Sequence, residues 1–208
     1  MSACLFCEIS AGRASSALPE NSIFARCEVA FAKAALGHFI EGYSLIVTYE
    51  HEASLSFIKP EELRLIDDFK CQVRTLLKRA YGCEITVFEH GCGVGLRRRA
   101  GSCIDHAHLH LVPLQVRLKG RLCSLFPWRR ISGLAELPRF SGLPFGYLYL
   151  EEEREHLLYE LDRDVPSQLV RRVIADLTGQ GELWDWRRYP FRERVSRFNE
   201  RIAALRQE

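Results

Sequence analysis

The 208-residue sequence lacks the features that mark a membrane-spanning, fibrous or disordered chain. It has no internal repeat and no low-complexity linker, and no uncharged apolar run approaches the roughly 20 residues that a membrane helix needs. Hydrophobic residues make up 47% and charged residues 27%, which is typical of a globular protein. We therefore expect a packed core that needs no disulfide, in one large domain or a smaller domain with an extension.

Neither sign of charge dominates the sequence, whose formal net charge is only +2. A chain whose main partner is nucleic acid usually carries a larger basic excess, so that partner is not predicted. The first residues lack the basic segment and the long apolar segment of a secretory signal. These absences predict a cytoplasmic location, reduced thiols and no membrane partner.

Eight cysteines remain to be explained, and two of them have the spacing of metal ligands. Cys4 and Cys7 form a C-x-x-C pair, which suits two ligands of one tetrahedral zinc. His51 and His106 are the candidates for the other two ligands. Four protein ligands leave no open position, so such a site would be structural. The alternatives are a redox-active pair, or two small apolar residues near the chain end.

Hydrophobic periodicity and turn residues predict strands over residues 22–26, 28–32, 43–48, 84–89 and 105–112. Pro60 is expected to open a long amphipathic helix, and Gly82 is expected to end it. Later in the chain, residues 146–150 and 156–161 suggest a hairpin. A helix capped by Ser167 and ended by Gly179, and a last helix over residues 190–205, are also predicted.

The most informative segment contains three histidines that alternate with apolar residues: His106, His108 and His110. In a strand, successive side chains point to opposite faces, so the three imidazoles form one row. Near neutral pH, imidazole can act as a nucleophile, a general acid or base, or a metal ligand. A neutral ring that attacks phosphorus would give a covalent phosphoramidate. The alternative is a solvated polar face on an amphipathic strand.

This segment, HAHLHLV, resembles the His-φ-His-φ-His-φ-φ motif of the histidine triad (HIT) family of nucleotide hydrolases and transferases, in which φ is hydrophobic. The N-terminal CLFCEI resembles the start of the zinc-containing members. The segment GYSLIVTYEH, residues 42–51, resembles the family strand Gly-His-x-Leu-Val-Ile-Pro-Lys-x-His. The resemblance covers roughly residues 3–113 and leaves the rest of the chain unassigned.

The resemblance implies an α+β fold, with an antiparallel sheet, a long packed helix and often a homodimer. We therefore predict a HIT-like catalytic domain, residues 1–113. The pattern of elements after Pro113 predicts a mixed α/β C-terminal extension, residues 114–208, packed on it. The resemblance also implies an enzyme that takes a nucleotide or nucleotidyl-sugar substrate. His106 would orient the strand or, as in zinc-bearing relatives, bind the metal.

The chemistry implied by the resemblance starts with His108, which would attack the α-phosphorus and form a covalent nucleotidyl-histidine. Water, phosphate or another acceptor would then release the nucleotide. His110 would help to bind the phosphate. Gly101 and Ser102 lie where the family places a backbone amide and a polar side chain against the phosphate, and such donors act where negative charge develops.

Several residues depart from the family pattern. Tyr43 stands in place of a histidine, and Thr48 and Tyr49 replace a Pro-Lys pair. Lys33 lies near the position of the acidic residue that binds ribose in the family. These departures leave open a second function, a catalytically weak HIT-fold module that binds nucleotide or RNA.

Other candidates for substrate binding lie around the triad. Glu89 and His90 stand where many relatives carry an asparagine, and could contact a sugar or leaving group or simply face water. Arg97 opens a run of three arginines that suits polyphosphate oxygens, or a solvated loop. Trp184 and Trp186 offer stacking surfaces for a base, or an apolar seal between extension and core.

Overall fold

The computed structural model describes residues 4–93 and 100–206, which are organised around one antiparallel sheet of eight strands. The strands are β1 (Ile23–Arg26), β2 (Ala30–Ala34), β3 (Ser44–Thr48), β4 (Ile85–Gly91), β5 (His108–Pro113), β6 (Trp128–Arg130), β7 (Tyr147–Glu152) and β8 (Glu155–Glu160). Their order across the sheet is β1-β2-β3-β5-β4-β7-β8-β6. Five helices accompany the sheet within these residues: α1 (Leu5–Ser10), α2 (Pro60–Tyr81), α3 (Lys119–Cys123), α4 (Leu169–Thr178) and α5 (Arg192–Leu205). The predicted α+β class is confirmed.

The long helix α2 has the ends that its sequence predicts. Pro60 occupies the first turn, and Glu61 and Glu62 place negative charge at the positive end of the helix dipole. Gly82 ends the helix in the left-handed conformation, with φ of 66°, and its N–H donates to the carbonyl of Lys78. None of the helices in the described residues is long and apolar enough to cross a membrane.

Both faces of the sheet are buried, by different helices. One face packs against α2 and α5 and includes Ala107, Leu109 and Leu111. The other packs against α1, α3 and α4 and includes Leu45, Phe88, Val112, Leu148 and Leu150. The apolar residues that alternate with the histidines therefore face the first core, as predicted. The histidines face the second side, which helices cover, so a solvated polar face is excluded.

Residues after Pro113 extend the sheet on its β4 edge. β7 pairs with β4 from Val87↔Glu151 to Gly91↔Tyr147, and β8 returns beside β7 as the predicted hairpin. The predicted division into residues 1–113 and 114–208 thus falls between strands of one sheet, and as a division into domains it stays a prediction.

Some element boundaries differ from the predictions for local reasons. β5 begins at His108 because the Ala107 N–H donates to Glu52, in the loop after β3, at 2.6 Å. His106 therefore precedes the strand. Ser167 does not cap α4, which follows Gln168 in a left-handed conformation with φ of 63°. The last helix begins at Arg192, after Phe191 with φ of 50°.

Candidate functional site

The four predicted metal ligands meet at one point, between the start of α1, the end of β3 and the residues before β5. Cys4 Sγ lies 3.4 Å from His106 Nδ1, and Cys7 Sγ lies 3.2 Å from His51 Nδ1. The two Nδ1 atoms are 3.2 Å apart. All four potential ligand atoms lie within 4.8 Å of one another, so the group could hold a metal ion.

His106 has the proton arrangement of a metal ligand. Its Nε2 lies 2.9 Å from the carbonyl oxygen of Thr48 and must carry the proton, because a carbonyl can only accept. Nδ1, which faces the cysteines and His51, therefore keeps its lone pair. A hydrogen bond from the second ring nitrogen to a backbone carbonyl is the usual support of a metal-bound histidine.

His108 and His110 lie in the wall of a cavity of about 290 Å³, whose opposite walls come from α1 and from residues around α4. The predicted residues His90, Gly101 and Ser102 line the same cavity. Phe6 of α1 also lies there, edge-on to His108 with 5.4 Å between ring centroids. The structure thus brings together five residues that the sequence analysis assigned to catalysis or substrate binding.

The backbone fixes the tautomer of His108. Its Nδ1 lies 2.7 Å from the carbonyl oxygen of His106, so Nδ1 carries the proton and donates it. Nε2 then has a lone pair and no hydrogen-bond partner among the described residues. Burial lowers the pKa of His108 to about 4, with a smaller effect from nearby histidines and Lys33. At neutral pH the side chain is a neutral imidazole with a free nitrogen.

His110 contacts a tyrosine where the family pattern has a histidine. The Tyr43 hydroxyl lies 3.0 Å from His110 Nδ1, and Phe88 stacks on the His110 ring with 4.4 Å between centroids. Burial raises the pKa of Tyr43 to about 12, so this hydroxyl keeps its proton. Burial, together with the neighbouring His108, holds the pKa of His110 well below its ordinary value.

Two further predicted residues make local backbone contacts beside the cavity. His90 Nδ1 donates to the carbonyl of Ala100 at 2.7 Å, and burial lowers the pKa of His90 to about 4. The Ser102 hydroxyl donates to the carbonyl of Ile104 at 2.7 Å. Gly101 has φ of 81°, a conformation that favours glycine.

The structure does not bring Glu89 to the cavity. Neighbouring residues in β4 point to opposite faces, so Glu89 points away from the side of His90. Its buried carboxylate accepts hydrogen bonds from the Leu55 N–H at 2.7 Å and the Tyr147 hydroxyl at 2.8 Å. Ser54 also donates to it, at 3.2 Å. Arg97 lies outside the described residues.

Three more residues of the wall were not assigned to the site with the triad. Lys33 comes from β2, Arg171 from α4, and Trp186 from the segment before α5. Trp186 was considered for stacking, and its place in the wall is compatible with that role. Arg171 lies on the apolar side of α4, and a charged residue among buried positions is the signal that could have revealed it.

No family model matches this sequence, and no curated protein matches it. Among solved structures, a HIT family protein from Bacillus anthracis aligns at 21% identity with a TM-score of 0.46, over 56% of this chain and 77% of its own. A hypothetical histidine triad nucleotide-binding protein from Sulfolobus tokodaii aligns at 20% identity with a TM-score of 0.45, over 53% and 68%. A HIT family hydrolase from Clostridium thermocellum aligns at 21% identity with a TM-score of 0.43, over 56% and 96%. These values describe a partial likeness in shape.

Proposed function

We propose that the protein is a HIT-family enzyme, a nucleotide hydrolase or nucleotidyltransferase that acts at the α-phosphate through a covalent nucleotidyl-His108 intermediate. The observation that carries the proposal is His108 itself. Its Nδ1 proton is committed to the His106 carbonyl, and its Nε2 lone pair is free in a ring that lines the cavity.

The chemistry follows from that arrangement in two steps. Nε2 of His108 attacks the α-phosphorus, a P–N bond forms, and the bond from phosphorus to the leaving group breaks with its electron pair on the leaving oxygen or nitrogen. Water or another acceptor then attacks the same phosphorus. The P–N bond breaks, His108 regains its lone pair, and the acceptor releases its proton to the solvent, which balances the proton that the leaving group takes up from the solvent in the first step.

His110 supports the phosphoryl group in this proposal. The Tyr43 hydroxyl lies 3.0 Å from His110 Nδ1. In the proposed tautomer this hydroxyl donates to Nδ1, which leaves the proton of His110 on Nε2 as a donor to a phosphate oxygen. The backbone at Gly101 lies in the same wall and belongs to the phosphate subsite of the proposal. Fixed donors of this kind are most effective where negative charge grows in the transition state.

The test is covalent trapping with an α-labelled nucleotide. We expect the wild-type protein to retain acid-labile label and His108→Ala to retain none. His156→Ala is the matched control, because His156 lies in β8 away from the cavity and its loss should leave labelling intact. Equal labelling of wild type and His108→Ala would contradict the proposal, as would turnover by His108→Ala at the wild-type rate.

One observation favours the second function, a catalytically weak module that binds nucleotide or RNA. The Ser102 hydroxyl already donates to the Ile104 carbonyl, so in this arrangement its proton does not point to a phosphate. Tight nucleotide binding with no covalent label and no loss of substrate over a long incubation would select this function over the enzyme.

We propose further that Cys4, Cys7, His51 and His106 bind one structural Zn²⁺. Tetrahedral zinc, with bonds of about 2.05 Å to nitrogen and 2.3 Å to sulfur, places two nitrogens about 3.3 Å apart and a sulfur and a nitrogen about 3.6 Å apart. The corresponding distances here are 3.2 Å between nitrogens and 3.2–3.7 Å between sulfur and nitrogen. Two thiols and two imidazoles form a ligand set that zinc prefers.

The zinc proposal is tested by metal analysis of the purified protein. We expect about one zinc per chain and loss of the metal in Cys4→Ser/Cys7→Ser. Cys71→Ser is the control, because Cys71 is exposed on α2 away from this group. Unchanged zinc content in the double variant would refute the ligand set.

The homodimer and the cytoplasmic location stay predictions of the resemblance and the N-terminal sequence, as does the absence of a nucleic-acid partner. Sedimentation velocity at two protein concentrations decides between monomer and dimer.

A further inference from the structure

The cavity contains two buried cationic side chains with no acidic partner. Lys33 is only 3% exposed, and its Nζ donates to the carbonyl of Ala34 at 2.7 Å. Arg171 is 4% exposed, and it donates to the carbonyls of Trp184, at 2.8 Å, and Gly37, at 2.5 Å. Among the described residues, no carboxylate lies within ion-pair distance of either group.

Two other buried charged side chains in the described residues do have an ion-pair partner. Lys70 contacts Glu151 at 2.6 Å, and Glu20 contacts Arg192 at 2.9 Å. A buried charge without an opposite charge is costly, so the group either becomes neutral, as a buried carboxyl with a raised pKa does, or gains a counter-charge from elsewhere. Lys33 and Arg171 differ from these pairs because neither forms an ion pair within the described residues, and both face the cavity.

The two cations act on different members of the histidine pair, Lys33 on His108 and Arg171 on His110. Lys33 contacts the ring of Phe6, with Nζ 5.8 Å from its centroid, and its charge acts on His108. The Arg171 guanidinium lies 4.8 Å from the centroid of the Tyr43 ring, whose hydroxyl contacts His110.

The charge of the whole wall points the same way. The lining residues include three cations, Lys33, Arg171 and Arg192. They also include the carboxylate of Glu20, which is already paired with Arg192. The described wall therefore has two positive charges in excess. An anion in this cavity would be attracted to both cations. Such attraction is stronger there than in bulk water, because the buried environment has a lower dielectric constant.

We propose that Lys33 and Arg171 bind two separate anionic groups of one ligand in the cavity that His108 lines, and that the substrate class is a nucleotide phosphoanhydride with at least two phosphates. This inference rests on the proposed function and deepens it. Phosphoanhydrides have a second anionic group, and their leaving group departs as a phosphate. Nucleotide phosphoramidates and simple esters have uncharged leaving groups, so they would contact only one of the two cations through an anionic group.

The bond changes are those already given for His108, with the leaving group specified. The bond between the α-phosphorus and the bridging oxygen breaks, and the electron pair stays on that oxygen, which remains part of a departing phosphate. The additional negative charge appears on a group that one of the two cations contacts.

The experiment measures binding by calorimetry, with probes that are not turned over: α,β-methylene-ADP, AMP and inorganic pyrophosphate. We expect wild type to bind α,β-methylene-ADP at least about tenfold more tightly than AMP, the usual effect of one charge-assisted contact. Lys33→Met should lose most of that preference and leave AMP affinity within about threefold. Lys119→Met is the control, because Lys119 pairs with Glu155 outside the cavity.

Arg171→Lys and Arg171→Gln form a second pair of variants. Both alter the contacts of Arg171 with backbone carbonyls, but only Arg171→Lys keeps the positive charge. Equal affinity of wild type for AMP and α,β-methylene-ADP would overturn the inference. An undiminished preference in both Lys33→Met and Arg171→Gln would also overturn it. Pyrophosphate binding that depends on both residues, with no covalent label from any nucleotide, would leave the two-anion site standing and reject the proposed function.

Discussion

A contact between Tyr43 and His110 decides how one histidine of the triad presents its proton. Tyr43→Phe removes the hydroxyl that lies 3.0 Å from His110 Nδ1, and the freed nitrogen can then take the proton away from Nε2. We expect kcat on a nucleotide substrate to fall about 10- to 100-fold, since loss of one oriented donor has effects of that order.

Steady-state kinetics on the variant and on Tyr43→His check this prediction. Histidine can also donate to His110, and it is the residue that the family pattern has at this position. Partial recovery of kcat by Tyr43→His, but not by Tyr43→Phe, is the expected result. Equal kcat in wild type and Tyr43→Phe would contradict the positioning role.

Glu89 predicts a pH dependence of folding stability. Burial raises the pKa of Glu89 from 4.5 to about 7, so the folded chain keeps its proton where the unfolded chain has lost it. The contribution of Glu89 to stability is therefore complete below pH 4.5, decreases as pH rises toward about 7, and is then constant. A shift of this size corresponds to about 3 kcal/mol.

Urea unfolding of wild type and Glu89→Gln between pH 4 and pH 8 measures this contribution. The free energy of unfolding of wild type, relative to the variant, should decrease across that interval and level off above pH 7. The exposed Gln72, changed to Ala, is the control and should show a constant difference, because neither side chain titrates. A constant difference for Glu89→Gln would refute a raised pKa in the folded chain.

At the scale of an element, the position of α1 depends on contacts with the four candidate metal ligands, Cys4, Cys7, His51 and His106. A helix of six residues is unstable alone, so its position depends on tertiary contacts. Cys4 and Cys7 connect it to His51 and His106, and Phe6 packs edge-on against His106 and His108. Removal of the proposed Zn²⁺ should therefore loosen both α1 and one wall of the cavity.

Hydrogen exchange with and without a chelator tests this dependence. We expect the amides of residues 5–10 to exchange at least about tenfold faster after chelation, and those of α5 to change little. Zinc added back should restore protection. Equal protection of α1 in both states would show that apolar packing alone holds this helix.

Local signals predicted some elements well and others poorly. The limits of α2 followed from Pro60 and Gly82, because both residues act on the backbone where they stand. The start of β5 did not follow from sequence, because it depends on a hydrogen bond from Ala107 to Glu52, more than fifty residues earlier. The four candidate metal ligands could be predicted from residue type and spacing. The place of Arg171 in the cavity wall could not, because it depends on how α4 packs on the second face of the sheet.

At the scale of the whole molecule, the C-terminal residues complete both the sheet and the site. β7 covers the edge of β4, and α4 covers the face that contains the histidines and supplies Arg171. A chain of residues 1–113 would expose Leu45, Phe88 and Val112 on that face. Each exposed side chain of this kind loses roughly 1.5–3 kcal/mol. The sum is comparable to the stability of a typical domain, about 5–15 kcal/mol.

We therefore expect residues 1–113 alone to aggregate or to lack a cooperative thermal transition, although the family resemblance covers this segment. Co-expression with residues 114–208 should restore a soluble complex, because β7 and α4 can then pack on the exposed edge and face. Circular dichroism and gel filtration of the fragment, the co-expressed pair and the full chain measure the outcome. A monomeric fragment with a cooperative transition near that of the full chain would show that residues 1–113 fold alone. The extension would then supply lining residues of the cavity, among them Arg171, Trp186 and Arg192, without being needed for the fold of residues 1–113.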